Sequence, residues 1–548
     1  MASLRIPVLI VGAGPVGLAL ACELGHRNVP CLLVEQGDGS VVFPAGEAIS
    51  TRTMEHLRRW GIADQVRQSA FPQDYPRNVV FVTRITGHLL ARFERESNEG
   101  GRRLHADVSP ESSVWCPKKW FDPLLRSHAA SLPSVELRYG WRLESFEQTK
   151  DRVRATVAEL ATGATHVVEA DYLAACDGAR SGIRRELGID FEGVFAEGHN
   201  LGIYFRSPEL LARQPHGLAS QFLTMATRHR SALSTVNGRD EWRLSLYVKP
   251  GEAEALDPVA CVRDAFGKDD LQVEIIRAQP WAGHRVVARR YREGRIFLVG
   301  DAAHMLWPKG GFGANTGIGD AVDLGWKLAA VHAGWGGEAL LASYEAERRP
   351  IGVRNVAEAA SNRAADAELP LDPMLDAEGP QADALRLRTG ELIRRTRWKE
   401  WSTLGVQLGY RYARSPVIVP DGSAEPPDEP AVYQPSTWPG CRAPHVLLDD
   451  GRSSLDAMGA GFVLFHDAGA SIAPLVQAAR REGVPLTTCV LPAAAQGVYE
   501  FPLVLVRPDG HVAWRGRQPA EDPAGIFVTV AGRAPAQAPM ASGATAIT

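Results

Sequence analysis

Three glycines near the amino terminus have the spacing of a phosphate-binding turn. Gly12, Gly14 and Gly17 form the pattern G-x-G-x-x-G between the apolar run 6–11, which predicts a strand, and a helix predicted over 15–26. In such a turn the first glycine permits a tight bend, the second lets a pyrophosphate approach the backbone, and the third lets the helix pack against the strand. The amino terminus of the helix favours the negative charge of the phosphates.

An acidic residue follows this turn at the distance that a dinucleotide site requires. Glu35 ends the next predicted strand, 31–35, and lies 18 residues after Gly17 (35 − 17). A carboxylate there can accept hydrogen bonds from ribose hydroxyls. We therefore predict that the turn, with Pro15, binds a dinucleotide. The motif alone does not separate FAD from NAD, but its place at the start of the chain, with other motifs far downstream, favours FAD.

Two further polar turns follow runs that are typical of buried strands. Asp177 and Gly178 come after the run 172–176, and Gly300 and Asp301 close the run 295–301. An aspartate at the carboxyl end of a strand is placed to bond a second ribose-type hydroxyl chain.

A loop of small residues comes next, before a helix predicted over 316–333. Small side chains let a flat ring approach backbone amides, and the helix amino terminus can stabilise negative charge on a reduced ring. His304 lies just before this loop, and two roles stay open for it: contact with a ligand, or a buried structural histidine. The loop residues that we predict to bind cofactor are Pro308, Gly311, Gly313, Ala314 and Asn315.

These motifs, in this order, resemble the three fingerprints of the group A flavin-dependent aromatic hydroxylases. The segments are GAGPVG, CDGARSGIR and GRIFLVGDAAHMLWPKGGFGANTGIGDAVDLGWKL. The segment FPAGEAISTRTMEHLRRWG resembles the loop and helix that follow Glu35 in that family. FPLVLVRPDGHVAWRG, at 501–516, resembles the thioredoxin-like domain of the phenol hydroxylase branch.

The resemblance implies a role for each motif residue. Gly12, Gly14 and Gly17 would bind the FAD pyrophosphate, Glu35 the adenosine ribose and Asp301 the ribityl chain. The loop 308–315 would lie against the isoalloxazine, and Asp177 would serve both FAD and the nicotinamide cofactor.

Three positions near these motifs carry separate expectations. Arg52 is expected to contact the cofactor. Lys118 stands where the family often has glutamine, so that polar contact with FAD is either lost or replaced by a contact between the lysine charge and a phosphate. Trp307 stands where a small residue or proline is common, so the wall on the substrate side should differ.

The activity implied is hydroxylation of an aromatic, phenolic small molecule. NADPH or NADH would reduce the flavin, O2 would form the C4a-hydroperoxide, and its distal oxygen would pass to the ring. Glu47 is our candidate for the group that activates the phenol, and the alternative is a solvated loop carboxylate. No second G-x-G-x-x-G follows a strand, so the nicotinamide cofactor is expected to bind transiently in a shared groove. The thioredoxin-like domain lacks C-x-x-C, which argues against redox chemistry there.

The expected architecture is α/β: a Rossmann-type FAD-binding domain with an inserted β-sheet substrate domain and a C-terminal thioredoxin-like α/β domain. The FAD-binding domain spans 1–190 and 291–415, the latter with helices, and the inserted domain spans 191–290. A linker (416–445), the thioredoxin-like domain (446–531) and a disordered tail (532–548) follow. We expect a helix over 52–60, which Thr51 could cap.

The composition is that of a globular protein. The chain has 548 residues, 45% of them hydrophobic, and a formal net charge of −4. So small a charge argues against a nucleic acid partner, and no stretch has the apolar length of a membrane span. Seven scattered cysteines without C-x-x-C predict neither disulfides nor a metal site and favour a cytoplasmic protein. Family precedent favours a homodimer.

Three alternatives remain at this stage. The same fold could carry epoxidation, Baeyer–Villiger-type oxygenation or halogenation, although the W-x-W-x-I-P pattern of halogenases is absent from the sequence. The chain could be a non-catalytic flavin-binding module, which the full set of flavin-facing glycines disfavours. It could be an NAD(P)-dependent dehydrogenase, which would have no need of the second site around Asp301.

Overall fold

A computed structural model describes residues 4–44 and 46–533. The helices are α1 Pro15–His26, α2 Thr51–Arg59, α3 Ala63–Arg67, α4 Asn98–Leu104, α5 Lys118–Ser131, α6 Gly182–Glu186, α7 Leu210–Arg213, α8 Pro258–Phe266, α9 Phe312–His332, α10 Glu338–Ala367, α11 Pro380–Arg397, α12 Leu404–Leu408, α13 Ala473–Arg481 and α14 Pro523–Val530.

The strands make three large sheets and one short pair. They are β1 Leu4–Val11, β2 Cys31–Glu35, β3 Ala48–Ile49, β4 Val79–Val82, β5 Leu89–Phe93, β6 Val114–Trp115, β7 Val135–Tyr139, β8 Trp141–Gln148, β9 Val153–Glu159, β10 Thr165–Ala175, β11 Phe191–Arg206, β12 Gln221–Thr224, β13 Ser231–Thr235, β14 Glu241–Val248, β15 Glu274–Ala288, β16 Arg292–Glu293, β17 Ile296–Leu298, β18 His304–Met305, β19 Phe462–His466, β20 Leu486–Val490, β21 Leu503–Val506 and β22 Val512–Gly516.

The first sheet brings the sequence motifs together. Its strands follow the order β16-β17-β10-β1-β2-β7, and β17, β10, β1, β2 and β7 run parallel. Val11 lies beside both Val34 and Ala175 in register. Because parallel strands end at the same edge, the residues that follow β1, β2, β10 and β17 meet there. Helices α1 and α9 pack together beside this sheet.

The second sheet has the order β18-β15-β11-β14-β13-β12-β4-β5 and is antiparallel except where β12 pairs with β4. The inserted sheet predicted over 191–290 supplies β11 to β15. The strands β4 and β5 come from the earlier part of the chain, and β18 comes from the later part. The pattern of the sequence did not indicate these additions, because they are set by pairing between distant segments.

A third sheet, with the order β20-β19-β21-β22, lies in residues 441–533, which we call the carboxyl-terminal unit. Its core is continuous with α9, since Trp326 and Phe462 pack in one apolar cluster. The α/β class predicted from the sequence is confirmed. The domain limits and linker stay predictions, and most of the predicted tail, from residue 534, lies outside the described residues.

Two helix starts differ from the predictions. Thr51 does not cap α2, because it is already helical; the preceding Ser50 is extended, and its hydroxyl accepts from Thr53 N. Helix α9 begins at Phe312, not near 316, because Gly311, at φ +72°, forms the turn that precedes it. The first turn of α9 is therefore part of the loop predicted to face the flavin.

No helix among the described residues has the length and apolar character needed to span a membrane. Within the same residues, no group of three or more histidine, cysteine, aspartate or glutamate side chains could hold a metal ion. The cysteines are all unpaired thiols.

Candidate functional site

The three glycines of the first motif differ in what surrounds them. A Cβ on Gly12, at φ +105°, would lie 2.3 Å from the carbonyl oxygen of Cys176, and one on Gly17 would lie 1.9 Å from that of Gly12. A Cβ on Gly14 would meet no protein atom within 4 Å. The first and third glycines are thus required by packing within the protein, whereas the second borders open space that a ligand can approach.

Glu35 is held in place by the backbone of the same turn. Its Oε2 accepts a hydrogen bond from Ala13 N at 2.8 Å, and its Oε1 accepts one from Gly37 N at 2.7 Å. A carboxylate has about four lone-pair positions, so these two bonds fix the group and leave acceptor capacity for ribose hydroxyls.

Asp301 and Lys118 place opposite charges in the crevice. Burial raises the pKa of Asp301, and the charges of His304 and Lys118 oppose that effect. Burial lowers the pKa of Lys118 to about 8, although Asp301 and Glu35 both favour its charged form. The ammonium also pairs with Asp122. The lysine charge therefore lies near both Asp301 and Glu35, the carboxylates predicted to bind the ribityl chain and the adenosine ribose, where it can contact a phosphate.

The loop 308–315, which is predicted to face the flavin, is built around Asn315. Its Oδ1 accepts hydrogen bonds from Ser50 N at 2.9 Å and from the Thr53 hydroxyl at 2.7 Å. Its Nδ2 donates to Ala48 O at 2.9 Å and to Gly311 O at 2.7 Å. Since these four bonds occupy the side chain, Asn315 ties the loop to the β3–α2 segment, and its backbone remains for the cofactor.

These features fit FAD. A Cβ on Gly14 or Gly313 would meet open space. Asp177 follows β10 beside Gly12; its Oδ2 accepts weakly from Ile183 N, and its Oδ1 is buried without a hydrogen-bond partner among the described residues. A dinucleotide needs open glycines and a lysine charge for its phosphates. It also needs fixed carboxylates at adjoining strand ends for its hydroxyl groups.

A cavity of about 930 Å³ lies between the first and second sheets. Six of the predicted site residues lie at the strand ends and do not line this cavity: Gly12, Gly14, Gly17, Glu35, Asp177 and Gly300. The predicted site residues that line it are Pro15, Glu47, Arg52, Lys118, Asp301, Pro308, Gly311, Gly313, Ala314 and Asn315.

Glu47 is buried in the cavity wall and is 8% exposed. Its Oε1 lies 2.5 Å from Nη2 of Arg243 on β14. Burial raises the pKa of Glu47, and the guanidinium opposes that effect. Glu47 is therefore a paired carboxylate at the cavity, and the alternative of a solvated loop carboxylate is wrong.

Trp307 directly precedes the loop, lines the cavity and packs edge to face against Trp281. Its indole lies over two glycines of the second sheet: a Cβ on Gly283 would lie 2.4 Å from the ring, and one on Gly198 would lie 2.6 Å from it. The Trp307 Nε1 donates to Glu197 Oε2 at 2.5 Å. The large residue predicted to alter this wall is thus accommodated by glycines on β11 and β15.

Two other candidates are bound mainly to the protein itself. Arg52 Nη1 donates to Glu55 Oε2 at 2.8 Å, and its Nη2 donates to Asp509 O of the carboxyl-terminal unit at 2.6 Å. His304 is fully buried, and its Nε2 lies 2.7 Å from Asp320 Oδ2. The structural role that the sequence left open for His304 is the one observed.

Sequence reasoning missed the residues that the second sheet contributes. Arg243 and Trp281 are examples, and Arg77 and Arg95 also line the cavity. Their strands carry no motif, and which of their faces borders the cavity depends on how the two sheets pack. The one signal in the sequence was Arg243, a charged residue within the largely apolar segment Glu241–Val248, which could have indicated a site beside this strand.

Comparison with known proteins gives a consistent result. A family model described as "FAD binding domain" matches residues 5–359, and one described as "Aromatic-ring hydroxylase, C-terminal" matches residues 436–534. A putative polyketide hydroxylase of Streptomyces halstedii is 35% identical, over 94% of this chain and 94% of its own.

Solved structures agree across the chain. The rebeccamycin biosynthetic enzyme RebC with reduced flavin has a TM-score of 0.90 and 39% identity, with 97% of this chain and 100% of that chain covered. Aklavinone-11 hydroxylase, in a ternary complex with FAD and aklavinone, has a TM-score of 0.82 and 28% identity at the same coverage.

Proposed function

The chain belongs to the family of FAD-dependent aromatic-ring hydroxylases, and from this premise we propose that its substrate is a flat phenol of several fused rings. The protein is an FAD-dependent monooxygenase that hydroxylates an aromatic small molecule. Two features support the finer assignment. Relatives are named for polyketides and for aklavinone, and the cavity here is walled by the indoles of Trp281 and Trp307.

The chain's own residues bind and orient the cofactor. FAD, when bound and reduced by NADPH or NADH, would activate O2, so that one oxygen atom is transferred to the ring and the other leaves as water. We assign the pyrophosphate to the backbone at Gly14 and to Lys118, the adenosine ribose to Glu35 and the ribityl chain to Asp301. The amino end of α9, with Gly313 and Ala314, would stabilise negative charge on the reduced ring system.

Glu47 takes the phenolic proton in this proposal, and its pairing with Arg243 is the observation that carries it. The ion pair engages Oε1 and leaves Oε2 for a hydroxyl of the substrate. Burial raises the pKa of the carboxyl, which makes it a stronger base than an exposed glutamate. Removal of the proton enriches the ring in electrons, which favours attack by an electrophilic oxygen. Arg243 then balances the charge of the phenolate and keeps Glu47 in position.

The aromatic wall keeps water from the reacting atoms. Trp307 is 2% exposed and is fixed through its Nε1 by Glu197, so the ring cannot turn away without breaking a hydrogen bond. Exclusion of water protects the activated oxygen from loss as hydrogen peroxide.

The test uses the FAD-loaded enzyme with a panel of one-ring and fused-ring phenols. Product formation, NAD(P)H oxidation and peroxide release are measured in parallel. We expect the fused-ring phenols to be hydroxylated preferentially. Glu47→Gln should retain FAD and lose product by about 100-fold, the typical contribution of a positioned general base, while peroxide release rises.

A surface substitution, Glu252→Gln, is the control and should leave every rate unchanged. Full hydroxylation by Glu47→Gln would remove the role of Glu47, and preferential turnover of one-ring phenols would remove the fused-ring assignment. The homodimer, the cytoplasmic location and the choice between NADPH and NADH stay predictions. Light scattering of the purified protein tests the first.

A further inference from the structure

Two arginines at the edge of the second sheet face each other across a strand pair. Arg77 precedes β4 and Arg95 follows β5, and these strands are antiparallel with Val79 opposite Phe93. Continuing that register by two residues puts Arg77 opposite Arg95. Both side chains line the cavity described above, together with Ser113 and Gln221.

Arg77 is bonded in an unusual way for a buried arginine of this protein. Its Nε donates to Glu96 O at 2.7 Å, and its Nη1 donates to Ser113 O at 2.8 Å and to the Ser113 hydroxyl at 3.0 Å, but no carboxylate pairs with it. Every other buried arginine within residues 4–44 and 46–533 forms an ion pair with a carboxylate. These are Arg52, Arg67, Arg348, Arg397, Arg442, Arg507 and Arg515.

Arg95 has fewer partners still. Its backbone nitrogen donates to Asn78 Oδ1 at 2.8 Å, but no hydrogen bond or ion pair joins its guanidinium to another described residue. The acid whose charge acts on it, Glu400, is itself paired with Arg397 and lies 3.8 Å from Lys309. Glu96 and Glu400 act on Arg77 and Arg95 from a distance, but no ion pair neutralises either arginine among the described residues, so the end of the cavity beside β4 and β5 keeps a positive charge.

This arrangement is costly without a ligand. Burial lowers the pKa of Arg77 to about 9, and the charge of Arg95 adds to that effect. Burial likewise lowers the pKa of Arg95 to about 10. Both groups stay protonated at neutral pH, so the buried cation of Arg77 and the half-buried cation of Arg95 share one end of the cavity. A buried charge is stable only when it is paired, and an anion between the two guanidinium groups would supply that pair.

We propose that Arg77 and Arg95 bind a carboxylate carried by the aromatic substrate. A planar guanidinium binds a carboxylate through two parallel hydrogen bonds, and Ser113 and Gln221 lie beside it as further polar groups. The cavity runs across the sheet from β15, beside the flavin loop, to β4. A ligand that reaches both ends must be extended, so this proposal rests on the fused-ring substrate proposed above and adds an acidic group to it.

The test compares two matched probes on the FAD-loaded enzyme: anthraquinone-2-carboxylate and anthraquinone-2-carboxamide. Dissociation constants are measured by titration calorimetry. We expect the carboxylate to bind at least about tenfold more tightly than the amide, as a charge-assisted pair provides. Arg95→Gln should abolish that preference and leave the affinity for the amide unchanged. This variant should fold, because the side chain makes no bond within the described protein, and its FAD content checks this.

Arg92→Gln is the matched control, since Arg92 lies on β5, pairs with Glu94 and does not line the cavity. It should keep the preference for the carboxylate. Arg77→Gln provides a second variant and should also reduce the preference.

Equal affinity of the wild-type enzyme for both probes would overturn the proposal. It would also be overturned if Arg95→Gln lost the same factor of affinity for the carboxylate and for the amide. A third result would also overturn the proposal: adenosine 2′-phosphate competes with the carboxylate probe for the wild-type enzyme but not for Arg95→Gln. The arginines would then bind a phosphate of the nicotinamide cofactor. These outcomes differ from failure of the proposed function, which is judged by hydroxylation of neutral phenols and by Glu47→Gln.

Discussion

Arg507 Nη1, in the carboxyl-terminal unit, lies 2.5 Å from Oε1 of Glu347 on α10. The same guanidinium reaches Asp323 Oδ1 on α9 at 3.2 Å, and Lys327 Nζ bonds both acids, at 2.7 Å to Asp323 and 2.6 Å to Glu347. All four side chains are at most 1% exposed. Since α9 begins in the loop predicted to face the flavin, the carboxyl-terminal unit holds the helix that positions this loop.

Replacement of Arg507 by methionine should destabilise the whole enzyme. Glu347 and Asp323 would remain buried with Lys327 as their one remaining cationic partner in this network, and breaking a buried pair costs about 3–5 kcal/mol. We expect a loss of that size in the free energy of unfolding by urea, and earlier release of flavin fluorescence on heating. Arg517→Met, at an exposed position nearby, should stay within about 0.5 kcal/mol of wild type. Equal stability of the two variants would contradict a structural role for this network.

The contact that Glu55 makes between α2 and the carboxyl-terminal unit should lose its stabilising effect at low pH. Burial would raise the pKa of this carboxyl, but Arg442 and Arg52 outweigh it and bring the pKa to about 2. A folded-state pKa below the unfolded value gives stability that is present above about pH 4.5 and is lost as the pH falls towards 2. The shift corresponds to about 3 kcal/mol.

Glu55→Gln tests this linkage. The variant should unfold more easily than wild type at pH 7, and the gap between the two free energies of unfolding should close as the pH falls from 5 to 2. Glu521→Gln, at an exposed site, should follow the wild-type curve throughout. A gap that stays constant with pH would show that the carboxylate charge of Glu55 does not contribute.

A side chain added at Gly14 should weaken FAD binding, whereas one added at Gly12 should impair folding. A Cβ on Gly14 meets open space, so Gly14→Val should fold, yet it should bind FAD at least about tenfold more weakly, because the valine blocks the approach of the pyrophosphate. A Cβ on Gly12 meets the backbone of Cys176, so Gly12→Ala should lower the yield of folded protein. Flavin absorbance per folded protein, with circular dichroism, separates the two results. Normal FAD content in Gly14→Val would be contrary to the assigned site.

The strands that carry the predicted cofactor residues could be located from the sequence because their determinants are local. Gly12 and Asp301 each come after a buried strand and Glu35 ends one, and parallel strands bring such ends together whatever the rest of the chain does. The start of α9 was misplaced by four residues, since a turn at Gly311 and the bonds of Asn315 decide it, and neither is visible in a periodic pattern.

The substrate side could not be predicted in the same way. Arg243, Trp281, Arg77 and Arg95 lie on or beside strands whose order in the sheet depends on pairing between distant segments. Only the packed sheets show that Arg243 meets Glu47, or that β4 and β5 extend the inserted sheet. Glu47 itself was identified from the resemblance, and its burial beside an arginine is visible in the structure alone.

Lys118 should make FAD binding depend on pH near neutrality. Burial lowers its pKa to about 8 in the protein without FAD, so the ammonium loses its proton as the pH rises through that value. The charged form is the one that attracts a phosphate, and therefore the affinity of the flavin-free protein for FAD should fall between pH 7 and 9. Lys118→Gln should bind FAD more weakly at pH 7 and show no such fall, whereas Lys150→Gln, on an exposed turn, should behave as wild type. Flavin fluorescence quenching measures each dissociation constant. If the wild-type affinity were constant over this range, or if Lys118→Gln kept the slope, the lysine would not be the phosphate contact.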